Sequence, residues 1–521
     1  MKMINKRAIL SVFMIITVII TGIFISKVLC DLEKEVNRNE EIKVFQQAMA
    51  FVSENYVEEV HSKDLMHDAV NGMIESLNQH PSLMNTEQQK EMQMDKPGML
   101  ISKLLDTNIS GENRNGETQV LEDALTIVRE RYVKERHPDM HTDDLIYSAI
   151  DGMIGSLDPH SAFMTPEQYN AIQVDTKGEF GGIGIQTAIR EKVLTVIASL
   201  EDTPAFMAGI KAGDRIVKVN EEATRNMSLQ DGVDRMRGTP STEVKLSILR
   251  DGWKEEKDFT LTREIIKIRT VKSRMLTDSI GYIKINQFQQ HTASDFSASL
   301  SNLTDENMKS LIIDLRDNPG GLLRSAVKVA SQFIPSGKLV VYTKNRKGRK
   351  KEYQSAENMP YSAVPIVVLV NEGSASASEV VAGALKDWNR ATIMGTLTFG
   401  KGSVQTIMPL KDGSALKLTT ARYYTPQGIS IQTTGILPDI VVKHAIRDGQ
   451  QVRPAIREKD LEGHLSNGQH TGEVSASEEI VFIATDDQED QQLSQAIDLL
   501  KNIKYQIAAP GVLVTTSEKA I

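Results

Sequence analysis

The chain has 521 residues, which is too many for one hydrophobic core, so we expect several folded units of roughly 150 residues each. A formal charge of −9 and the lack of zinc-finger or RNA-binding spacing argue against a nucleic-acid partner. The single cysteine, Cys30, excludes an internal disulfide, and the overall balance of apolar and charged residues is typical of globular domains.

The amino terminus has the pattern of an export signal. Three cations precede an uncharged apolar run from Ala8 to Ser26, namely Lys2, Lys6 and Arg7. At about 1.5 Å per residue this run nearly spans a bilayer, and the cations predict a cytoplasmic N-terminus. No small-x-small cleavage site follows, so residues 1–30 are predicted to be an uncleaved signal anchor. A cleaved signal and a buried core helix are the alternatives.

The next part of the chain contains a duplication. The segment from Asp64 to Gln88 is similar to the segment from Asp144 to Gln168, 80 residues later. Apolar residues recur at helical spacing in both copies, which predicts two small helical hairpins. We assign residues 31–107 to the first helical repeat and residues 118–175 to the second. Residues 108–117 between them are rich in Asn and Gly and are predicted to be a linker.

The rest of the chain changes character twice. Residues 176–263 contain short β-rich runs between glycine turns, which predicts a separate, mostly β module. In residues 264–445 apolar strands alternate with helical stretches, as in an α/β core. Residues 446–521 are polar and are expected to form a flexible tail, closed by an amphipathic helix around residues 493–500. The predicted fold class is therefore α+β and multi-domain.

The first candidate for chemistry in the core follows a buried apolar strand. The run from Leu311 to Leu315 leads into Pro319-Gly320-Gly321. Glycine amides at a strand end can point into a cleft and form part of an oxyanion hole. A plain turn is the alternative interpretation of this segment.

The second candidate is a serine at a corner between a strand and a helix. An apolar strand from Pro365 to Val370 leads through a small-residue turn to Ser376, and a helix is predicted to begin at Ala377. Unpaired amides at a helix start can stabilise a developing oxyanion beside the serine hydroxyl. The alternative is structural, because Ser376 and Glu379 also fit the S-x-x-E capping box.

The third candidate is a lysine between two glycines, Gly400-Lys401-Gly402. A desolvated lysine whose pKa falls from about 10.4 toward neutrality can accept the proton of a serine. Gln405 is expected to hydrogen-bond the amine and orient it. A surface turn is the alternative interpretation.

Two other chemistries have less support. Gly395 and Gly400-Lys401 have the spacing of a phosphate-binding loop, but Gly402 stands where the Ser or Thr that binds magnesium is required. The two histidines of the core, His291 and His444, lie in no recognisable active-site motif, which argues against a histidine triad.

Together with the stretch from Gly178 to Ile185, these three segments resemble the carboxyl-terminal processing (tail-specific) protease family of serine peptidases. The resemblance covers roughly residues 122–444. It implies an α/β (crotonase/ClpP-like) serine protease core without metal or cofactor. It also implies the roles of the site residues: Ser376 as nucleophile, Lys401 as general base, Gln405 as the residue that orients the lysine, and Gly320, Gly321 and Ala377 as the oxyanion hole.

The same resemblance implies a PDZ domain in the β module. Its carboxylate-binding loop would comprise Gly181, Gly182, Ile183, Gly184 and Ile185. A substrate C-terminus would add as a strand beside residues 183–186, with a helix near residues 229–236 on the other side of the groove. The isoleucines favour an apolar C-terminal residue.

We therefore expect a membrane-anchored serine endopeptidase, extracytoplasmic in a bacterial periplasm or at the cell surface, that cleaves proteins near their C-termini under PDZ control. The family resemblance implies a homodimer that uses the second helical repeat as its dimerisation region, together with the terminal helix. The extra helical repeat, a departure from the family pattern, is expected to extend that interface or to recruit an adaptor. The alternatives are an anchored PDZ scaffold with an idle protease core, and a structural assembly role for the duplicated region.

Overall fold

The computed structural model describes residues 40–78, 114–129, 142–190, 192–356, 361, 363–442, 455–468, 490–502, 506–508 and 512–514. The predicted anchor, residues 1–30, lies outside the described residues. Across the described ranges, no helix is both long enough and apolar enough to cross a membrane.

The two repeats form helices that pack around one apolar core. In chain order these are α1 (residues 40–55), α2 (Ser62–Asn78), α3 (Arg114–Val128) and α4 (Thr142–Gly155). Buried residues recur every three or four positions, so each helix presents an apolar stripe to the others. The helix α3 begins inside the predicted linker, since packing of its apolar stripe outweighs the poor helix propensity of Asn115-Gly116.

The duplication also includes α1 and α3, which the sequence comparison did not detect. Buried residues of α1 correspond to buried residues of α3 that lie 76 positions later: Phe45, Ala48, Met49 and Val52 correspond to Leu121, Ala124, Leu125 and Val128. The offset is 80 residues for α2 and α4, so four extra residues between the helices of the second copy obscure the match.

A short strand and a helix lead from the repeats to the β module. The strand β1 (Ala162–Met164) pairs with a strand of the protease core, and α5 (Pro166–Lys177) follows it. The capping box of Thr165 and Gln168 begins α5, and Gly178 ends it with φ of 74°, a left-handed conformation that glycine adopts without strain.

The β module is a sheet with its own apolar core. The elements of the module are β2 (Glu179–Gly182), β3 (Ile185–Arg190), β4 (Val193–Ser199), α6 (Pro204–Met207), β5 (Arg215–Val219), β6 (Glu222–Ala223), α7 (Leu229–Met236), β7 (Glu243–Leu249) and β8 (Lys257–Thr262). The sheet has the strand order β3-β4-β5-β7-β8, with β6 paired to β5. The chain returns to the protease core through β9 (Glu264–Lys267), which pairs antiparallel with β2. Both connections of the module therefore run side by side in one two-stranded ribbon.

The α/β core is built on a mostly parallel sheet. Its strands are β10 (Val271–Met275), β11 (Ile280–Ile285), β12 (Ser310–Asp314), β15 (Ile366–Val370), β16 (Thr392–Gly395) and β19 (Ile440–Val441). Their order in the sheet is β10-β11-β12-β15-β16-β19. One face is covered by α8 (Thr292–Asp305), α9 (Leu323–Ser331) and α10 (Ala377–Asp387). The helix α11 (Gln491–Asn502) packs on the other face through Ala496 and Leu500. Both faces are buried at the centre of the sheet, which explains the uninterrupted apolar run of β15.

A second sheet of the core joins it to the helical repeats. It contains β13 (Leu339–Lys344), β14 (Lys350–Gln354), β17 (Ser403–Pro409) and β18 (Ala415–Tyr424), and it takes in β1. Leu416 and Leu418 of β18 lie in the same apolar cluster as the repeat helices. The short strands β20 (Gln506–Ala508) and β21 (Val512–Val514) pair with each other.

Part of the predicted tail packs on the core. Residues 455–468 include a 3₁₀ turn, Glu458–Asp460, and bury both Glu458 and Leu465. The expectation of a flexible tail is thus corrected for this segment. Composition missed it because its contacts are hydrogen bonds to distant loops and not a local apolar pattern.

Candidate active site

Three neighbouring parallel strands bring the predicted motifs together. The strands β12, β15 and β16 are adjacent and parallel, and each predicted motif follows one of them. Carboxyl ends of parallel strands meet at one edge of a sheet, where clefts of α/β proteins form. The Gly320-Gly321 turn, Ser376 and Lys401 therefore lie at the same edge.

Ser376 lies at the strand-to-helix corner in a strained conformation. Its φ of 54° and ψ of −111° immediately precede α10. A positive φ at a residue other than glycine costs free energy and is maintained only when its surroundings enforce it. Here the Ala375 N–H donates to the Asn318 carbonyl at 3.0 Å, and a Cβ on Gly320 would lie only 2.9 Å from the Ser376 Cβ. The glycine turn therefore packs directly against the serine.

The candidate oxyanion donors differ in their present partners. The Gly320 N–H donates to Asn318 Oδ1 at 2.9 Å and is engaged in this conformation. Within the described ranges, the N–H groups of Gly321 and Ala377 have no hydrogen-bond acceptor. Ala377 is the first residue of α10, where backbone N–H groups are left without intrahelical partners.

A buried carboxylate holds the serine loop and the lysine loop together. The Oε2 atom of Glu379 accepts the N–H of Ser376 at 2.7 Å and the N–H of Lys401 at 2.9 Å. Its Oε1 atom accepts the Gly400 N–H at 2.7 Å and the Thr398 hydroxyl at 2.6 Å. Glu379 is thus the acid of the predicted capping box and also fixes the backbone on both sides of the cleft. The sequence offered one signal for this role, an acid among the buried residues of α10.

Burial dominates the electrostatics of this carboxylate. Glu379 is fully buried, and desolvation raises its pKa to about 7 although four hydrogen bonds to its oxygens oppose the shift. A carboxylate in this position is tolerated because all four donors point at it.

Lys401 is surrounded by groups that shift the pKa of its amine in both directions. Burial lowers the pKa of its amine, and the positive charge of Lys417 lowers it further. The carboxylates of Glu458, Asp158 and Glu379 act in the opposite direction. A lowered pKa increases the neutral fraction of the amine, which is the form that can accept a proton.

Gln405 makes no hydrogen bond to the Lys401 amine among the described residues. Its Nε2 donates to the hydroxyl of Ser403 at 3.1 Å and to that of Thr419 at 3.0 Å. These two hydroxyls are the only partners of its amide in the described part of the chain.

The helical repeat and the segment after the core supply residues that the sequence interpretation missed. Glu458 is fully buried and accepts from Gln432 at 2.8 Å, while Gln432 Oε1 accepts the N–H of Gly402 at 2.9 Å. His160 of the second repeat lies 2.7 Å from the other Glu458 oxygen. His160 lies outside the core and reaches this site from the second helical repeat, so motifs within the core could not indicate it.

The β module contains an open groove at the predicted position. A cavity of about 420 Å³ lies between β3 and α7. The predicted loop residues Gly182, Ile183, Gly184 and Ile185 line it, with Val233 and Met236 on the helix side. Gly181 is instead in β2, where its carbonyl accepts the Gly238 N–H at 3.1 Å.

Comparisons with known proteins agree with this architecture. Residues 279–442 match the model of peptidase family S41, residues 172–249 match the PDZ domain, and residues 25–88 match the activating protease CtpB N-terminal domain. A carboxy-terminal-processing protease of Bartonella bacilliformis is 42% identical over 73% of this chain and 87% of its own. A carboxyl-terminal-processing protease of Synechocystis sp. is 38% identical over 61% of this chain and 75% of its own.

Among solved structures, the photosystem II D1 C-terminal processing protease is 28% identical and covers 77% of this chain and 93% of its own, with a TM-score of 0.41. The extent of the Bartonella match, together with the S41 and PDZ matches, decides the family. The chain belongs to peptidase family S41 and is a serine-type peptidase of the carboxy-terminal-processing group with a PDZ domain.

Proposed function

We propose that this peptidase cleaves proteins near their C-termini by acyl transfer, with Ser376 as nucleophile and Lys401 as general base. The neutral Lys401 amine takes the hydroxyl proton as Ser376 Oγ attacks the peptide carbonyl carbon. The resulting ammonium returns a proton to the leaving amine when the C–N bond breaks. Water, deprotonated by the same amine, then hydrolyses the acyl-enzyme and restores the serine.

The observation that carries this proposal is the Glu379 carboxylate. One of its oxygens accepts the backbone N–H of both Ser376 and Lys401, so the loops that carry the two residues cannot move apart without breaking these bonds. The burial that lowers the pKa of Lys401 provides the second requirement, an amine that can be neutral.

For the oxyanion hole we propose the N–H groups of Ala377 and Gly321, which have no acceptor within the described residues. Gly320 would join them only by releasing Asn318. Gln405 would orient the amine only after exchanging its present hydroxyl partners for Lys401.

We propose further that the PDZ groove binds the free C-terminus of the substrate and gates cleavage. The groove between β3 and α7 offers a strand edge for an extended peptide, and its isoleucines suit an apolar last residue. The ribbon of β2 and β9 carries both connections to the core, so a rotation of the module would require movement at that ribbon. The anchor at residues 1–30 would hold the enzyme at the membrane on the extracytoplasmic side, with a homodimer and an activating adaptor as further proposed partners.

The test is cleavage of an unstructured protein with an apolar C-terminus, comparing wild type with Ser376→Ala and Lys401→Ala. Both variants should lose at least about 10³-fold in kcat/KM, since each removes a group of the covalent mechanism. Lys411→Ala is the matched control, because this lysine is exposed and lies in the turn after β17. It should cleave as wild type does.

The same substrate with an amidated C-terminus tests the PDZ function. Loss of the terminal carboxylate should raise KM by about tenfold or more while the bond that is cut stays the same. Cleavage by Ser376→Ala at the wild-type rate would rule out the mechanism. An inert wild type whose PDZ domain still binds the peptide would favour the scaffold alternative.

A further inference from the structure

The two helical copies meet through equivalent residues. A Cβ on Gly72 would lie 2.4 Å from the Ser148 carbonyl oxygen and 2.7 Å from the Gly152 Cα. A Cβ on Gly152 would lie 2.6 Å from the Gly72 Cα and 2.7 Å from the Asp68 carbonyl oxygen. Gly72 and Gly152 are equivalent in the repeat, as are Asp68 and Ser148, since 80 residues separate each pair. Each copy thus presents the same patch to the other, which is the geometry of an isologous contact between two subunits.

This contact buries the apolar stripes of both copies. The helices α2 and α4 cross where the two glycines permit close backbone approach, and both lie in one core cluster with α1 and α3. A single helical hairpin exposes its stripe, and a second copy of the same hairpin covers it. In this chain the second copy is covalently attached, so the surface through which the hairpin pairs with its own copy is covered by another part of the same chain.

The first copy also contacts the protease core. The Tyr56 hydroxyl donates to the Leu157 carbonyl at 2.7 Å, and the Val57 N–H donates to the Thr419 carbonyl at 2.9 Å. Glu58 accepts from Arg422 at 2.5 Å. We name residues 56–58 the first-copy turn. Burial raises the pKa of the Tyr56 hydroxyl, so it stays protonated and remains a donor.

The first-copy turn supports the residues that lie on the Lys401 side of the proposed active site. Leu157 precedes Asp158, which accepts the Thr419 hydroxyl at 3.0 Å. The Thr419 hydroxyl in turn accepts from Gln405 at 3.0 Å. Asp158 belongs to the second copy, so the two copies and β18 together hold the residues beside the proposed base.

We propose that the first helical copy serves as a built-in partner for the second: it occupies in cis the surface through which this repeat pairs with itself, and its turn completes the support of the active site. The inference rests on the proposed function for its effect on catalysis. A single chain then needs no second chain at this surface, and a homodimer would pair through another one.

The test is a charge exchange between Glu58 and Arg422 in the full chain. Glu58→Arg and Arg422→Glu should each lower kcat/KM by about tenfold and lower the unfolding midpoint, because each places like charges at a partly buried contact. The double variant should restore most of both. An equal mixture of the two single variants, coexpressed, should restore neither, since both members of the pair lie in one chain.

The controls separate the contact from general effects of charge. Glu59→Arg carries the same charge change at an exposed neighbour and should behave as wild type. Tyr56→Phe keeps the ring, removes only the donor to Leu157, and should lower kcat more than it raises KM, because the turn acts on the site and not on substrate binding.

Two results would overturn the inference. Recovery of about half the wild-type activity and stability in the coexpressed mixture would mean that the pair forms between chains, as random mixing makes about half the dimers mixed. Normal activity of Glu58→Arg with an unchanged midpoint would mean that the turn supports nothing. If wild type itself is inert, the proposed function fails, and the unfolding midpoints alone still decide between pairing within and between chains.

Discussion

Substitution of Glu379 by Gln tests the arrangement of the loops that carry Ser376 and Lys401 most directly. The carboxylate accepts four hydrogen bonds, two on each oxygen. A glutamine retains one oxygen, which can still serve Ser376 and Lys401. Its NH₂ group would then face Thr398, whose hydroxyl can turn to accept, and Gly400, whose N–H would have no acceptor. A buried Gly400 N–H without an acceptor costs about 1–3 kcal/mol. Loss of the buried negative charge is favourable, and this gain offsets the weakening of the hydrogen bonds to the remaining oxygen.

This cost should appear in kcat, because the Gly400 N–H can regain a hydrogen-bond acceptor only if the loop that carries Lys401 moves. At about 1.4 kcal/mol per tenfold, we expect kcat to fall about 10- to 100-fold with little change in KM. The assay is steady-state cleavage of an unstructured protein, with circular dichroism to verify folding. Glu372→Gln is the matched control, since this exposed carboxylate accepts from Thr396 at 2.8 Å in the same pair of loops. An unchanged kcat for Glu379→Gln would refute the role of the carboxylate as a clamp.

Two further predictions concern the base and the glycine turn. Lys417→Ala removes a positive charge that lowers the pKa of Lys401, so the rise of kcat/KM with pH should shift to higher pH, with activity lost near neutrality and recovered in alkali. Lys411→Ala should leave the pH profile unchanged, and a shift to lower pH for Lys417→Ala would contradict the assignment. Gly320→Ala places a Cβ 2.9 Å from the Ala377 nitrogen at a φ of +100°, so kcat should fall by at least about tenfold in a chain that still folds. Gly337→Ala, at a φ of +70° with open space around it, measures the backbone strain alone, and equal losses in both variants would refute a contact effect.

Local sequence was sufficient to predict the elements that carry the site. The run from Leu311 to Ile313 and the run from Ile366 to Val370 are continuous and apolar because both faces of the sheet are covered. The turns that follow them are marked by glycines whose positive φ values the structure requires, as at Gly320 and Gly321. Strand length, helix start and turn chemistry are encoded within about ten residues, so a single sequence reveals them.

The sequence did not reveal contacts between distant residues. His160 and Glu458 are 298 residues apart, and nothing in either local pattern indicates the other. Gln405 illustrates the same limit. Its spacing from Lys401 suggested a hydrogen bond to the amine, whereas in the folded chain its amide donates to two hydroxyls. The packed segment 455–468 was hidden for the same reason, since its polar residues are satisfied by loops from other parts of the fold.

The sequence by itself determined which residues are candidates for the chemistry of a serine peptidase, because the proposed nucleophile, the proposed base and the glycine turn each lie in a short motif. Only the tertiary structure decided that Glu379 joins those motifs and that the duplicated helices close on each other at Gly72 and Gly152. The physical reason is that the order of strands in a sheet and the pairing of apolar faces depend on the packing of the whole chain, which no local periodicity specifies.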